Sequence, residues 1–209
     1  MKKIEPYRNS TEANLDLDNG GRFFNLFTNA NDGEISISEL GKIAGVFGEK
    51  QKMILFLDLA ISKLNASDKK VILSALSDGL KMAYEKYKSH YLTVVQATEI
   101  GQIASNTIVT GIPKMIDSKS EFVGFVMVPI MAGKVMTFAM IPIMDEYDVY
   151  EIRDEQTDIN FLIAHAKGGL KLPAKKIMVA GILKELKANE NEEVGSKKYL
   201  ESFYFSDVA

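Results

Sequence analysis

The run Phe125-Val126-Met127-Val128-Pro129-Ile130-Met131 returns almost unchanged as Phe138-Ala139-Met140-Ile141-Pro142-Ile143-Met144, with Ala132-Gly133-Lys134 among the residues between the copies. From Phe122 to Met144 the only charge is Lys134, so this stretch must be hidden from water. It is long enough to cross a bilayer as a helix. That helix would hold Lys134 at mid-membrane, at a cost of about 2.5–3.5 kcal/mol, and would contain Pro129, Pro142, Gly124 and Gly133 as well. An antiparallel hairpin puts Gly133 and Lys134 at an exposed turn instead, and pairs Ile130 with Val135 and Met127 with Phe138. Each proline, lacking an N–H, then needs an edge, an end or a bulge. Apolar residues fall on both faces of both strands. Helices must therefore cover one face, and more helix or a second subunit the other.

The pattern changes near Pro113, with helical periodicity before it and strand-like runs after it, which predicts an α+β fold. Residues 1–18 are polar and turn-rich and read as a flexible arm. Residues 19–113 read as a helical region and 114–209 as an α+β region built on the Met-rich hairpin, with one continuous domain the alternative. Lys50 to Leu64 sets Met53, Leu57, Ala60, Ile61 and Leu64 on one helical face. Ser67 or Asp68 can cap a following helix, which carries Val71, Ile72, Ala75, Leu76, Leu80, Ala83, Tyr84 and Tyr87 to about His90. A helix is expected over residues 92–106, strands at Tyr147 to Ile152 and Asn160 to Ala164, and a helix from Pro173 to about Ala188. Asn189 to Lys198 reads as a solvated linker, and Lys197 to Phe205 as a short aromatic helix or strand.

The 209 residues carry a net charge of −3, which supplies no basic field for collecting phosphates and argues against nucleic acid as a partner. With no cysteine, disulfides, thiol nucleophiles and Cys-ligated metals drop out. The polar residues Glu5, Arg8, Asn9, Ser10 and Glu12 follow Met1-Lys2-Lys3 at once, with no apolar segment of the kind a signal peptide needs. A cytoplasmic location is the expectation.

Residues 24–48, F-N-L-F-T-N-A-N-D-G-E-I-S-I-S-E-L-G-K-I-A-G-V-F-G, resemble the helix-loop-helix of an EF-hand. In that family a twelve-residue loop presents oxygen ligands at alternate places, a turn-making Gly at the sixth and a bidentate Glu at the twelfth. By that resemblance Thr28, Asp32, Glu34 (through its carbonyl), Ser36 and Glu39 would surround a calcium ion, with Gly33 at the turn. Ala30 departs from the pattern outright, and Thr28 stands where a carboxylate belongs. The resemblance thus implies a retained shape with weak or absent calcium binding. A second loop would fall at residues 65–76, where Lys69, Lys70 and Leu76 replace an acid, the Gly and the Glu; a capped turn between helices is the simpler account. The Asp-Gly-Glu-Ile-Ser…Glu run also looks like the helix entry of TerB-like helical domains. On residue chemistry alone, Ser36 and Glu39 can equally form a capping box at a helix start.

Four further groups are candidates for chemistry. Asp145, Glu146, Asp148, Glu151, Asp154, Glu155 and Asp158 surround a lone Arg153 and read as a solvated acidic face. His165 precedes Gly168, Gly169 and Lys171, where a Gly-rich turn and a helix start would hold an anion. Met127, Met131, Met136, Met140 and Met144 would line an apolar pocket or interface. His90 stands alone on its segment.

No catalytic constellation emerges. The sequence supports a non-enzymatic binding or scaffold protein, with a protein partner or self-association through the Met-rich sheet and no resident cofactor. The alternative is a carrier of an apolar small molecule or lipid in a Met-lined pocket. Membrane association is not expected.

Overall fold

The structure, a computed structural model, describes residues 1–19, 30–132, 135–153, 159–186 and 197–208; over 117–132 and 135–146, and at 186 and 197, the description is of the backbone. The elements run β1 (Lys2–Lys3), α1 (Ser10–Leu17), α2 (Ile37–Ala44), α3 (Lys50–Ala60), α4 (Ala66–Ala75), α5 (Asp78–Tyr87), β2 (His90–Leu92), α6 (Val94–Glu99), β3 (Asn106–Ala132), β4 (Val135–Arg153), β5 (Asn160–Ala166), β6 (Ile177–Leu186) and β7 (Lys197–Asp207). This is the expected α+β class.

The strands close on themselves. β3 pairs antiparallel with β4, β4 with β5, β5 runs parallel to β7, and β7 and β6 complete an antiparallel circuit back to β3. Numbered from β3, the order around the ring is 1-2-3-5-4-1, the connectivity of the OB-fold, a five-stranded Greek-key barrel. The period of two along each strand sorts side chains between inside and outside. Val109, Tyr150, Ile152, Phe161, Ile163, Ile177, Val179, Leu183, Leu200 and Phe205 fill the interior, with Val94 and Ala97 of α6 packed against them. Their strand neighbours Ile108, Ala180 and Tyr204 face outward into a second core made with the helices. In that second core α3 is buried along nearly its whole length, from Met53 to Ala60, and Phe56 meets Tyr204 edge-on at 5.8 Å. Asn106, at the start of β3, ties the two cores together: its amide donates to the carbonyls of Gln51 and Tyr87 at 2.9 and 2.7 Å.

Several expectations are corrected. Residues 1–18 form no loose arm. β1 pairs with β7, α1 is capped by Asn9, and Ile4, Tyr7, Ala13 and Leu17 are buried in the helical core; these few apolar positions outweigh the polar composition around them. The single helix expected up to His90 is two, α4 and α5. Leu76 is extended because Ile35 is drawn alongside it, with the Ile35 N–H donating to the Ala75 carbonyl and the Ser77 N–H to the Ile35 carbonyl at 2.7 and 2.9 Å. The cap of α4 is Asn65, which accepts from the Asp68 N–H, rather than Ser67 or Asp68. The helix expected over 92–106 shrinks to α6. The helix expected from Pro173 is the strand β6, covered by the barrel interior on one face and by the helical core on the other.

The hairpin forms, with a register two residues from the expected one. Met127 pairs with Met140, Ile130 with Thr137 and Ala132 with Val135. The strands Tyr147 to Ile152 and Asn160 to Ala164 lie within β4 and β5, and the C-terminal aromatic segment is the strand β7. The linker expected at 189–198 lies almost wholly outside the described residues.

Candidate functional site

The loop before α2 is held by carboxylates turned toward backbone. Asp18 accepts from the N–H groups of Asp32 and Gly33 at 3.2 and 2.8 Å, and Asp32 accepts from the Glu34 N–H at 3.0 Å. Ser36 and Glu39 form the capping box: the Ser36 hydroxyl accepts from the Glu39 N–H, and the Glu39 carboxylate accepts from the Ser36 N–H at 2.8 Å. Gly33 takes the left-handed φ of 86° that a turn here demands. Of the five residues the EF-hand resemblance assigns to a cation, Thr28 lies outside the described residues, while the side chains of Asp32, Ser36 and Glu39 are engaged with backbone N–H groups. Among the described residues no group of three or more His, Asp or Glu side chains is gathered as a metal site.

The anion site proposed at Gly168, Gly169 and Lys171 loses its main support, since no helix starts after Pro173. The turn is occupied from within the chain. The Leu170 N–H donates to the Met1 carbonyl at 3.3 Å, and a Cβ on Gly169 would collide with the Met1 backbone nitrogen. Gly168 and Lys171 are exposed, Lys171 at the wall of the groove described below. The side chains of Met127, Met131, Met136, Met140 and Met144 lie outside the described ones; the backbone sets Met127 opposite Met140 and Met131 opposite Met136.

What the sequence reading kept apart and the fold brings together is Asp148 and His165. They are cross-strand partners on β4 and β5. His165 follows the inward-facing Phe161 and Ile163 at the strand's period of two, and Asp148 precedes Tyr150 and Ile152 in the same way. Both are buried, His165 to 1 % exposure and Asp148 to 7 %. The His165 Nε2 stands 3.8 Å from the Asp148 carboxylate and has no hydrogen-bond partner, while Nδ1 lies 2.9 Å from the Ala166 carbonyl. The ring stacks on Tyr150, centroids 5.6 Å apart. Asp148 therefore corrects the reading of the acidic stretch as wholly solvated. The pairing has a sequence signal: two alternating strands on either side of a short polar connection.

Burial holds the His165 pKa below its ordinary value, with the Asp148 carboxylate acting weakly in the opposite sense. The folded chain therefore takes up this proton only at lower pH than the unfolded chain, which begins to bind it as pH falls below about 6.5. Stability should then rise with pH through the window beneath that value and level off above it. Chemical denaturation of the protein and of His165→Gln between about pH 5 and 8 checks this. The variant should lose most of the slope, and an unchanged slope would assign it to other groups.

Beside Tyr150 opens a groove of about 410 Å³, walled by Ile112, Pro113, Met115, Leu172 and Ala174, with Lys114 and Lys171 also lining it. The Tyr150 phenol accepts a hydrogen bond from the Leu172 N–H at 3.3 Å, fastening the loop between β5 and β6 to the barrel. Burial raises the Tyr150 pKa, which keeps the phenol protonated.

No protein-family model matches the chain, and no curated protein matches it. Among solved structures it is similar to the crystal structure of the N-terminal domain of an archaeal MCM, with a TM-score of 0.41 and 13% identity over 82% of this chain and 84% of that one.

Proposed function

We propose that the chain is a non-enzymatic interaction protein of the cytoplasm, a scaffold that associates with a second copy of itself through the apolar ribbon of β3 and β4. The observation that carries this reading is the length of that ribbon. β3 pairs with β6 only up to Gly111, and β4 pairs with β5 only from Tyr147 onward. From Ser120 opposite Glu146 to Ala132 opposite Val135, the two strands pair with each other alone among the described strands. At about 3.3 Å per residue this is a projection of roughly 40 Å. A lone two-stranded ribbon is marginal in water, and long apolar edges invite further strands. The residues from Phe122 to Met144 carry one charge, so a stable form needs a cover, and an identical ribbon offers a self-complementary one. No helix among the described residues is long and apolar enough to cross a membrane. The barrel by itself assigns no ligand. Its β4–β5 surface, where related barrels meet oligonucleotides, bears Glu151 engaged with Arg153 and Asn160 rather than an excess of positive charge.

Sedimentation of detergent-free protein over a concentration series tests this. A dimer or larger closed assembly is expected, while a monomer at every concentration, or a chain recovered only with membranes, refutes it.

On this reading calcium binding at the loop before α2 is weak or absent. Asp32 and Glu39 are engaged with backbone, and Ala30 offers no ligand atom. Calorimetric titration should find no site tighter than about 10⁻⁴ M, the weak end of the EF-hand range. Micromolar binding abolished by Glu39→Gln would overturn this.

A further inference from the structure

We infer that the groove beside Tyr150 is a binding site for a small anionic amphipath, a medium-chain monocarboxylate, distinct from the ribbon. Three observations meet there. The volume, about 410 Å³, is in the lower part of the roughly 300–1,000 Å³ of small-molecule sites. The walls are apolar: Pro113 and Leu172 are buried, and Ile112 and Met115 keep 37 % of their surfaces exposed toward solvent. Lys114 and Lys171 are exposed, line the same groove, and make no ion pair with a described residue.

An apolar cleft lined by ammonium groups that make no close ion pair, Lys171 above all since Lys114 lies across the strands from Glu151, complements an apolar tail with one negative head. A wholly apolar ligand would leave those ammonium groups unused, and a highly charged one would waste the Ile112, Met115 and Leu172 walls. The Tyr150–Leu172 hydrogen bond fixes the loop that forms one wall, so the groove is largely preformed and little ordering free energy is lost on binding.

The probe is decanoate, with decanol as its neutral counterpart, titrated calorimetrically into the full chain. Decanoate should bind, and decanol about tenfold or more weaker, the ratio expected for one hydrogen-bonded charge. Lys171→Met should weaken decanoate by about the same factor and leave decanol unchanged. Ala174→Trp, a change at an exposed position, should fill the groove and abolish both while the thermal midpoint stays put. Vesicles of anionic phospholipid, whose headgroups also carry negative charge, should not bind the chain. The inference is overturned if decanoate does not bind, if decanol binds equally well, if either variant leaves decanoate binding intact, or if vesicles bind in place of decanoate.

Discussion

Tyr150→Ala should destabilise the barrel by about 3–5 kcal/mol, the cost of truncating a large aromatic side chain in a core that cannot fully collapse. Tyr150 heads the fully buried side chains by volume. It packs in the barrel interior with Ile152, Ile163 and Ile177, stacks on His165 and holds the Leu172 N–H. Removing it opens a cavity beneath the groove and frees the loop that Leu172 anchors. Tyr150→Phe separates the two roles. The ring and its packing survive, one backbone donor loses its partner, and the loss should be about 1 kcal/mol. Equilibrium denaturation of the two variants beside the parent measures both. A Tyr150→Ala loss below about 1 kcal/mol would mean that the interior assigned to this ring is not the barrel's core.

The same strand shows what could be read from the residues and what could not. β4 and β5 announce themselves by alternation, and Asp148, Tyr150 and Ile152 on one strand with Phe161, Ile163 and His165 on the other already define the inward set once the strands are paired. The hairpin was legible because its two copies flank a turn. Its register was not, because a slip of two residues returns every side chain to the same face, so the period of two carries no marker against it. β6 failed for a related reason. Its residues from Ile177 to Leu183 are apolar on both faces, covered inside by Val179 and Leu183 packing and outside by Ala180 against the helices, and a continuous apolar run does not distinguish strand from helix. Pro173 suits the first turn of a helix and favours that reading, and pairing with β3 and β7 overrides it.

The helical half follows the same logic. The Ser36–Glu39 capping box was visible because its signature is local. The break between α4 and α5 was not, because Leu76 is extended by the bonds of its neighbours Ala75 and Ser77 to Ile35, some forty residues away in sequence. Residues 1–18 misled because their burial depends on a few well-placed apolar side chains, Ile4, Tyr7, Ala13 and Leu17, in a polar setting. The groove had no sequence signal, since Ile112, Pro113 and Met115 meet Leu172 and Ala174 only when the loop folds back over Tyr150.

Excising Phe122 to Met144 and joining Glu121 to Asp145 through Asn-Gly should leave the barrel folded and abolish self-association. Glu121 and Asp145 are already cross-strand partners, and a two-residue Asn-Gly loop matches the twist of a hairpin closed at such a pair. The interior residues Val109, Tyr150, Phe161, Ile163, Val179 and Leu200 pack with one another on stretches of strand that are retained. Their contacts are therefore kept, and the midpoint of unfolding should move little apart from the stability that association itself confers by mass action. That last part is concentration-dependent in the parent and absent in the variant, so unfolding measured at several protein concentrations distinguishes loss of assembly from loss of fold. The expected result is a cooperative monomer beside an associating parent. An excised chain that still associates would move the interface to another surface, and one that fails to fold would show that the ribbon is part of the barrel's own support rather than a projection built for a partner.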